Sequence, residues 1–324
     1  MSGRGLATLA AGAFLITLAA LLRGVVAPAA FALPAVQSQV IRLTDGDASY
    51  LDTARLAQRR GVPVEMTVAR YGDTGAATRD TAVWTEFLSL TAVDGPRIDY
   101  HERRVAFDRR GGGIVDCCGS YLDEDDQTAW RGLAFRWPVG ARPVPYRVFD
   151  PVVRRPVTAW FDGVERVRGT LTYRYTQRFV NEAIPQPAPP LPARLLGLGG
   201  KADAEHPTAA FLDGRRTHWV DPVSGMVVAV REEVTRTLRT ADRRGEAVAF
   251  RAELRTTEES ERQAADQARA FRFRATAVKL VLPGTFLLAG LSLLWYSRRS
   301  LRAARPAAAP EPPPADTTDP PARS

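Results

Sequence analysis

Two long apolar runs bracket this chain, and between them apolar and polar residues alternate over short stretches. The second run, Ala275 to Tyr296 (ATAVKLVLPGTFLLAGLSLLWY), matches the ~20 apolar residues that carry a helix across a bilayer core. Trp295 and Tyr296 close it as interfacial anchors do, and Arg298, Arg299, Arg302 and Arg305 follow at once. Lys279 stands one turn in, where its stem can reach back to the headgroups. Pro283 and Gly284 are poor in a soluble helix but tolerated in a membrane span. The first run, Leu6 to Leu22, continues past Arg23 through Val26. One alternative for it is a cleaved signal peptide with Ala30-Phe31-Ala32 as the cleavage motif. The run is longer than the usual ~7–15-residue signal core, so we read residues 6–27 as a retained anchor after a short N-terminus of residues 1–5. Pro28 and Pro34 would end its helix.

Residues 35–257 read as strands. Leu171, Tyr173, Tyr175 and Phe179 alternate with Thr172, Arg174, Thr176 and Arg178, one buried face and one wet face of an antiparallel strand; Gln177 interrupts the apolar register once. Val83–Val93, Ile98–Phe107 and Val144–Phe149 carry the same signal, rich in aromatic and β-branched residues. Asp108-Arg-Arg-Gly-Gly-Gly and Asp221-Pro-Val-Ser-Gly place Asp at a turn start and Gly where a positive φ is cheap, so each should join two antiparallel strands. The echo is compatible with a duplicated β-unit and equally with shared hairpin grammar. Residues 184–207, loaded with Pro and Gly, form a long loop with one helical turn expected at Ala193–Leu198. Residues 258–274 are strong helix formers and should make a stalk running into the span at 275–296. The Pro-rich remainder, 297–324, has little to bury and is expected to be a disordered tail. The fold class expected is mostly β, an antiparallel curved sheet or half-barrel flanked by two transmembrane helices.

The 324 residues carry a formal charge of +8, from 44 basic and 36 acidic side chains. Because the arginines are interleaved with Asp and Glu along strands, with no basic helix or recognition motif, we expect a solvated surface and no nucleic-acid partner. Cys117 and Cys118 are too few for a thiolate zinc site. If oxidised, they can pair only with each other; the ~3.8 Å between neighbouring Cα atoms lies below the usual disulfide window, so such a bridge would make a tight kink. That leaves a redox switch, a ligand-facing knuckle, or a plain structural kink. Asp123-Glu124-Asp125-Asp126 lacks the spacing and glycine of a calcium loop and reads as a solvated acidic run. His101, His206 and His218 share no motif, and no phosphate-binding, dinucleotide or nucleophile-elbow pattern occurs. We therefore expect no cofactor, no metal and no catalytic residue.

Several stretches together resemble the actinobacterial porin PorA family: Leu21-Leu22-Arg23 through Val26-Ala27-Pro28, Leu33-Pro34, Phe107-Asp108-Arg109, Asp116-Cys117-Cys118-Gly119, Leu195-Leu196-Gly197-Leu198, and Trp219-Val220-Asp221-Pro222 with Gly225. The resemblance implies an N-terminal anchor, an extracytoplasmic β-rich region and a C-terminal span, and it carries over no established catalytic residue. The positive-inside rule decides little here, since basic residues flank both sides of the spans; the export-like N-terminus puts the middle region outside and both tails inside. The expected protein is a two-pass, non-enzymatic component of the cell envelope, resident in the plasma membrane. It would handle an envelope lipid, with Tyr173, Tyr175 and Phe179 lining the ligand site, or contact another envelope protein. A redox sensor or enzyme using Cys117 and Cys118 is one alternative, and a pore-forming protein, as the family label suggests, is the other.

Overall fold

The computed structural model describes residues 3–27, 31–199 and 201–303. The segment 304–324, most of the tail expected to be disordered, lies outside the described residues, as do residues 1–2, Pro28 and Ala30. The chain divides into a helical unit, built from residues before 28 and after 275, and a β unit between them.

In the β unit, long strands follow one another as a meander. They are β1 (Ser38–Asp52), β2 (Ala57–Gly72), β3 (Thr81–Ala92), β4 (Arg97–Asp108), the short β5 (Tyr121–Leu122), β6 (Tyr146–Asp150), β7 (Arg155–Val167) and β8 (Thr170–Ile184). After two short strands, β9 (Leu191–Pro192) and β10 (Glu205–His206), come β11 (Ala209–Val220), β12 (Val227–Arg239) and β13 (Glu246–Thr256). Eleven of them form one antiparallel sheet in the order β5-β4-β3-β2-β1-β13-β12-β11-β8-β7-β6. First and last long strands pair at the centre, Leu43 opposite Thr256 and Tyr50 opposite Phe250, so the sheet curls into a half-barrel. Alternation puts every second side chain on the inner face, which is why strands of mixed polarity can build a core.

The two free edges of the sheet are tied together. Gly113 bridges Leu133, and Leu133 in turn bridges Val148 of β6, while Ile114 bridges Phe107 of β4. Backbone bonds from Ile114 N to Gly132 O and from Leu133 N to Arg147 O complete this seam. Two glycines permit the approach: with φ near +72° and +87°, Gly112 and Gly132 would each drive a Cβ to within 2.7 Å of a carbonyl oxygen. The Asp108 turn thus does not open a second full strand as the sequence suggested. Ile114 makes a single bridge, and the chain then leaves to strap the edge. The Asp221 turn does form a hairpin, β11–β12, with Gly225 N bonded to Asp221 O.

The region 184–207 contributes the β9–β10 pair and a hydrogen-bonded turn at 193–197 in place of the expected helical turn. It covers Leu51 and Leu238 with Leu191 and Leu196. Helix α2 (Glu258–Thr276) packs Ala264, Ala265 and Ala268 against Met226 and Val228, and Arg272 binds the buried Asp221 carboxylate. Small alanines on that face bring the helix close to the sheet, while its glutamates sit in the first turn, where the helix dipole favours them.

In the helical unit, α1 (Gly3–Leu21) ends in a π-helical turn, Leu22–Val26. A second π-turn, Ala277–Val281, leads into α3 (Leu282–Ala303). Gly12 and Gly290 face each other so closely that a Cβ on Gly290 would lie 2.8 Å from Gly12 O. Small residues at the crossing let backbones approach where no hydrophobic drive exists between spans. Arg23 donates to the carbonyl of Lys279 at 2.8 Å, joining the two π-turns. Both helices are long and apolar enough to cross a membrane.

Candidate functional site

The inner face of the half-barrel is only partly apolar. On β3 the inward residues are Trp84, Glu86, Leu88 and Leu90; on β4 they are Asp99, His101, Arg103, Val105 and Phe107; on β11, Arg216 and His218. Charges therefore share the register of bulky apolar residues. Burial of an ion is expensive unless it is paired and hydrogen-bonded, and here the pairs are present.

Glu86, 4% exposed, accepts from Arg103 Nε at 2.7 Å and from Arg70 Nε at 2.6 Å. Burial would raise its carboxyl, but the two guanidinium groups outweigh this and hold it at about 2. Arg103 also stacks 4.6 Å from the Phe135 ring centre. On the opposite strands the signs reverse: Arg216 binds Asp150 at 2.5 Å and Glu232 at 2.7 Å, and lies over Phe179. Burial disfavours its charge, yet the two carboxylates raise its pKa. One triad carries net positive charge and the other net negative. Arg136, 7% exposed, is the exception: it pairs with no carboxylate among the described residues and rests on Trp84. Burial, then the charge of Arg70, pushes it down to about 9.

Between these groups lies a cavity of about 140 Å³, lined by Met66, Leu88, Leu90, Val234, Phe250 and Leu254 together with the ionic residues. Arg103 Nη1, Trp137 Nε1, Arg236 Nε and His218 Nδ1 belong to its lining, are sealed from solvent and have no hydrogen-bond partner among the described residues. Gln177 fixes the state of His218. The Gln177 amide nitrogen donates to Val157 O, so its oxygen accepts from His218 Nε2 at 3.0 Å and leaves Nδ1 as a bare acceptor. The inner cavity adjoins a wider one of about 750 Å³ through Asp99, Val152, Arg236 and Phe250, which line both.

At that wider mouth His101 Nδ1 meets Asp123 at 2.8 Å, and its Nε2 lies 3.6 Å from Asp99. Arg154 and Arg236 hold the same two carboxylates. Burial works against a charged His101, but the bonds to Asp123 and Asp99 prevail and lift it to about 9. Burial, with Arg216 and Arg70 nearby, drops His218 to about 3. These shifts set opposite slopes on either side of the unfolded histidine value near 6.5. The His101 contribution is complete below pH ~6.5 and is lost as pH rises through about 9. For His218, the unfolded chain gains a proton below pH ~6.5 that the folded state refuses down to about 3. Stability should thus peak near pH 6.5, falling by up to about 3 kcal/mol on the alkaline limb and by up to about 5 kcal/mol on the acid limb. His101→Gln should flatten the alkaline limb alone in thermal melts taken from pH 6 to 10; an unchanged alkaline limb would show that the ion cluster plays no such part.

His218 lines the inner cavity and His101 and Asp123 the wider one, but the expected ligand residues and the cysteine pair fall elsewhere. Tyr175 and Phe179 are fully buried and Tyr173 partly so, but none of the three lines either cavity. Tyr175 packs on Trp137, Tyr146 and Phe161, and its hydroxyl donates to Arg142 O. Cys117 and Cys118 are joined as a disulfide, and neither lines these cavities. Its segment is tied to β4: Ser120 Oγ donates to Cys117 O and accepts from Ala106 N. Glu86, Arg103 and Arg216 escaped notice because a charge in an alternating strand reads as the wet face, and His218 was noted only as a histidine without a motif. The available signal was parity, since Glu86 falls in step with Trp84, Leu88 and Leu90.

Fold and site together define a β half-barrel with a charged, partly hollow interior, carried on a chain with two membrane-spanning candidates. A family model described as Porin PorA matches residues 4–297, and the chain belongs to that family. The comparison with curated proteins returned no match.

Proposed function

We propose that this protein is a non-enzymatic envelope component whose half-barrel, held outside the plasma membrane by two helices, carries an amphiphilic lipid. The observation behind this is the pair of adjoining cavities. About 140 Å³ of mostly apolar space accommodates a benzene-sized group, so it suits the end of an acyl chain. The wider mouth, with Tyr50, Arg97, His101 and Gln186, offers room and polar partners for a headgroup. The export-like start of the chain supports the outside location.

The test uses the full chain, purified from native membranes in mild detergent. Mass spectrometry should find about one amphiphile per protein. Leu88→Trp, which grows into the inner cavity, should cut that occupancy at least about tenfold, a change worth ~1.4 kcal/mol, while the protein still melts cooperatively. Protease added to intact spheroplasts should cleave within 35–257. Wild-type protein with no copurifying amphiphile, or a Leu88→Trp variant still fully loaded, overturns the proposal.

The family description favours a second reading, a pore. A lipid-facing barrel needs an apolar outer band. Here Arg178, Arg215, Arg231 and Glu233 lie on the outer face, which favours the lipid reading. Ion conduction by the purified protein in planar bilayers would favour the pore.

A further inference from the structure

The outer face of β7, β8, β11 and β12 carries a groove of about 600 Å³ that the lipid reading does not use. Four arginines line it: Arg174 pairs with Asp162 and Glu165, and Arg215 and Arg231 share Glu233 and Glu253, which leaves Arg178 as the groove's uncompensated cation among the described residues. Register sharpens the point. Arg178 stands directly opposite Arg215 on the neighbouring strand, and like charges at a cross-strand position repel. Glu233 neutralises Arg215 with two bonds of 2.8 and 2.9 Å, whereas Arg178 makes no ion pair among the described residues. An anion bridging Arg178 and its neighbours would remove the repulsion, and guanidinium groups match carboxylate geometry.

The remainder of the surface selects the kind of anion. Thr176 and Thr217 face each other in the row beside the arginines, and Trp160, 59% exposed, stands opposite Thr176 at the outer end of that row. Trp219 lines the groove next to Arg174. Hydroxyls and indoles beside guanidinium groups suit a ring with an apolar face, several hydroxyls and one carboxylate. In the groove wall Gly214, at φ +138°, lets β11 lie close against β12, where a Cβ would strike Glu233 O at 2.0 Å. We propose that this groove binds an acidic polysaccharide, through carboxylate-bearing sugar units held between Arg178 and the threonine–tryptophan row. The proposal is independent of the lipid reading, since it concerns the opposite face of the sheet.

The experiment titrates full-length protein in detergent with oligogalacturonate, following tryptophan fluorescence and thermophoresis at low and moderate salt. Neutral dextran of equal length and phosphatidylglycerol vesicles serve as the other probes. Oligogalacturonate should bind, weaken with salt, and lose at least about tenfold in affinity in Arg178→Ala, as loss of a charged hydrogen bond implies. Arg178→Lys should recover part of that loss, and Trp160→Ala should weaken binding without changing its salt dependence. Because Arg178 and Trp160 are exposed, both variants should fold, and the lipid content of Arg178→Ala should match wild type. Equal binding of dextran, indifference to Arg178→Ala, or binding of vesicles without oligogalacturonate would each overturn the assignment.

Discussion

Tyr175→Arg should leave no folded protein. The ring is fully buried against Trp137, Tyr146 and Phe161, with centroids 5.4 to 5.8 Å away, and the hydroxyl donates to Arg142 O. Removing a buried aromatic costs ~3–5 kcal/mol. An unpaired buried cation adds several more. Together these approach the whole ~5–15 kcal/mol by which a domain is stable. The variant should reach the membrane in low yield, with residues 35–257 open to protease and near-UV circular dichroism lost. Tyr175→Phe, which strips only the hydroxyl and leaves Arg142 O without its donor, should cost about 1–2 kcal/mol and fold normally. A stable Tyr175→Arg protein with altered ion selectivity would instead place Tyr175 in a water-filled lumen and support the pore.

Glu86→Ala should be the next most damaging change, at about 3–5 kcal/mol, because it leaves the half-buried Arg70 and the buried Arg103 beside each other with no counter-charge. Chemical denaturation of wild type and variant in the same detergent measures it directly. The wild-type contribution of Glu86 should itself be present above pH ~4.5 and disappear as pH falls towards about 2. A triple variant with Arg70→Met, Glu86→Leu and Arg103→Met should recover most of the loss, since well-packed apolar groups often replace a buried ion cluster without penalty. If the triple variant matches wild type in stability yet loses its copurifying amphiphile, the triad serves the ligand. If lipid content is unchanged, the triad only shapes the interior.

Much of the architecture follows from local pattern. Period-two alternation in Thr81–Ala92, Arg97–Asp108 and Thr170–Ile184 is enough to define strands, because side chains on successive residues point to opposite faces. The apolar lengths of Leu6–Val26 and of the run ending at Tyr296 define membrane-length helices. Neighbouring Cys117 and Cys118, in a chain with no other cysteine, had one possible intrachain partner each. The Asp221–Gly225 turn was legible because Asp and Gly have local conformational preferences that need no distant partner.

The interior required the tertiary structure. Gln177 looked like a break in the apolar face, yet it lies on that face, 1% exposed, joining Val157 to His218. Glu86 and Arg216 looked solvated because a charge is affordable inside only when partners from other strands meet it, and pairing between Glu86 and Arg103 depends on register, not on spacing along one strand. Closure of the sheet at Leu133, bridging Gly113 on one side and Val148 on the other, likewise joins residues that local preference does not connect. Sequence by itself determined which residues become strands and membrane-length helices, since those choices rest on periodicity and apolar length. Which inward positions hold a paired ion, which pack as closed core and which surround a cavity was decided only by the curl of the sheet, because burial and pairing are properties of the assembled neighbours.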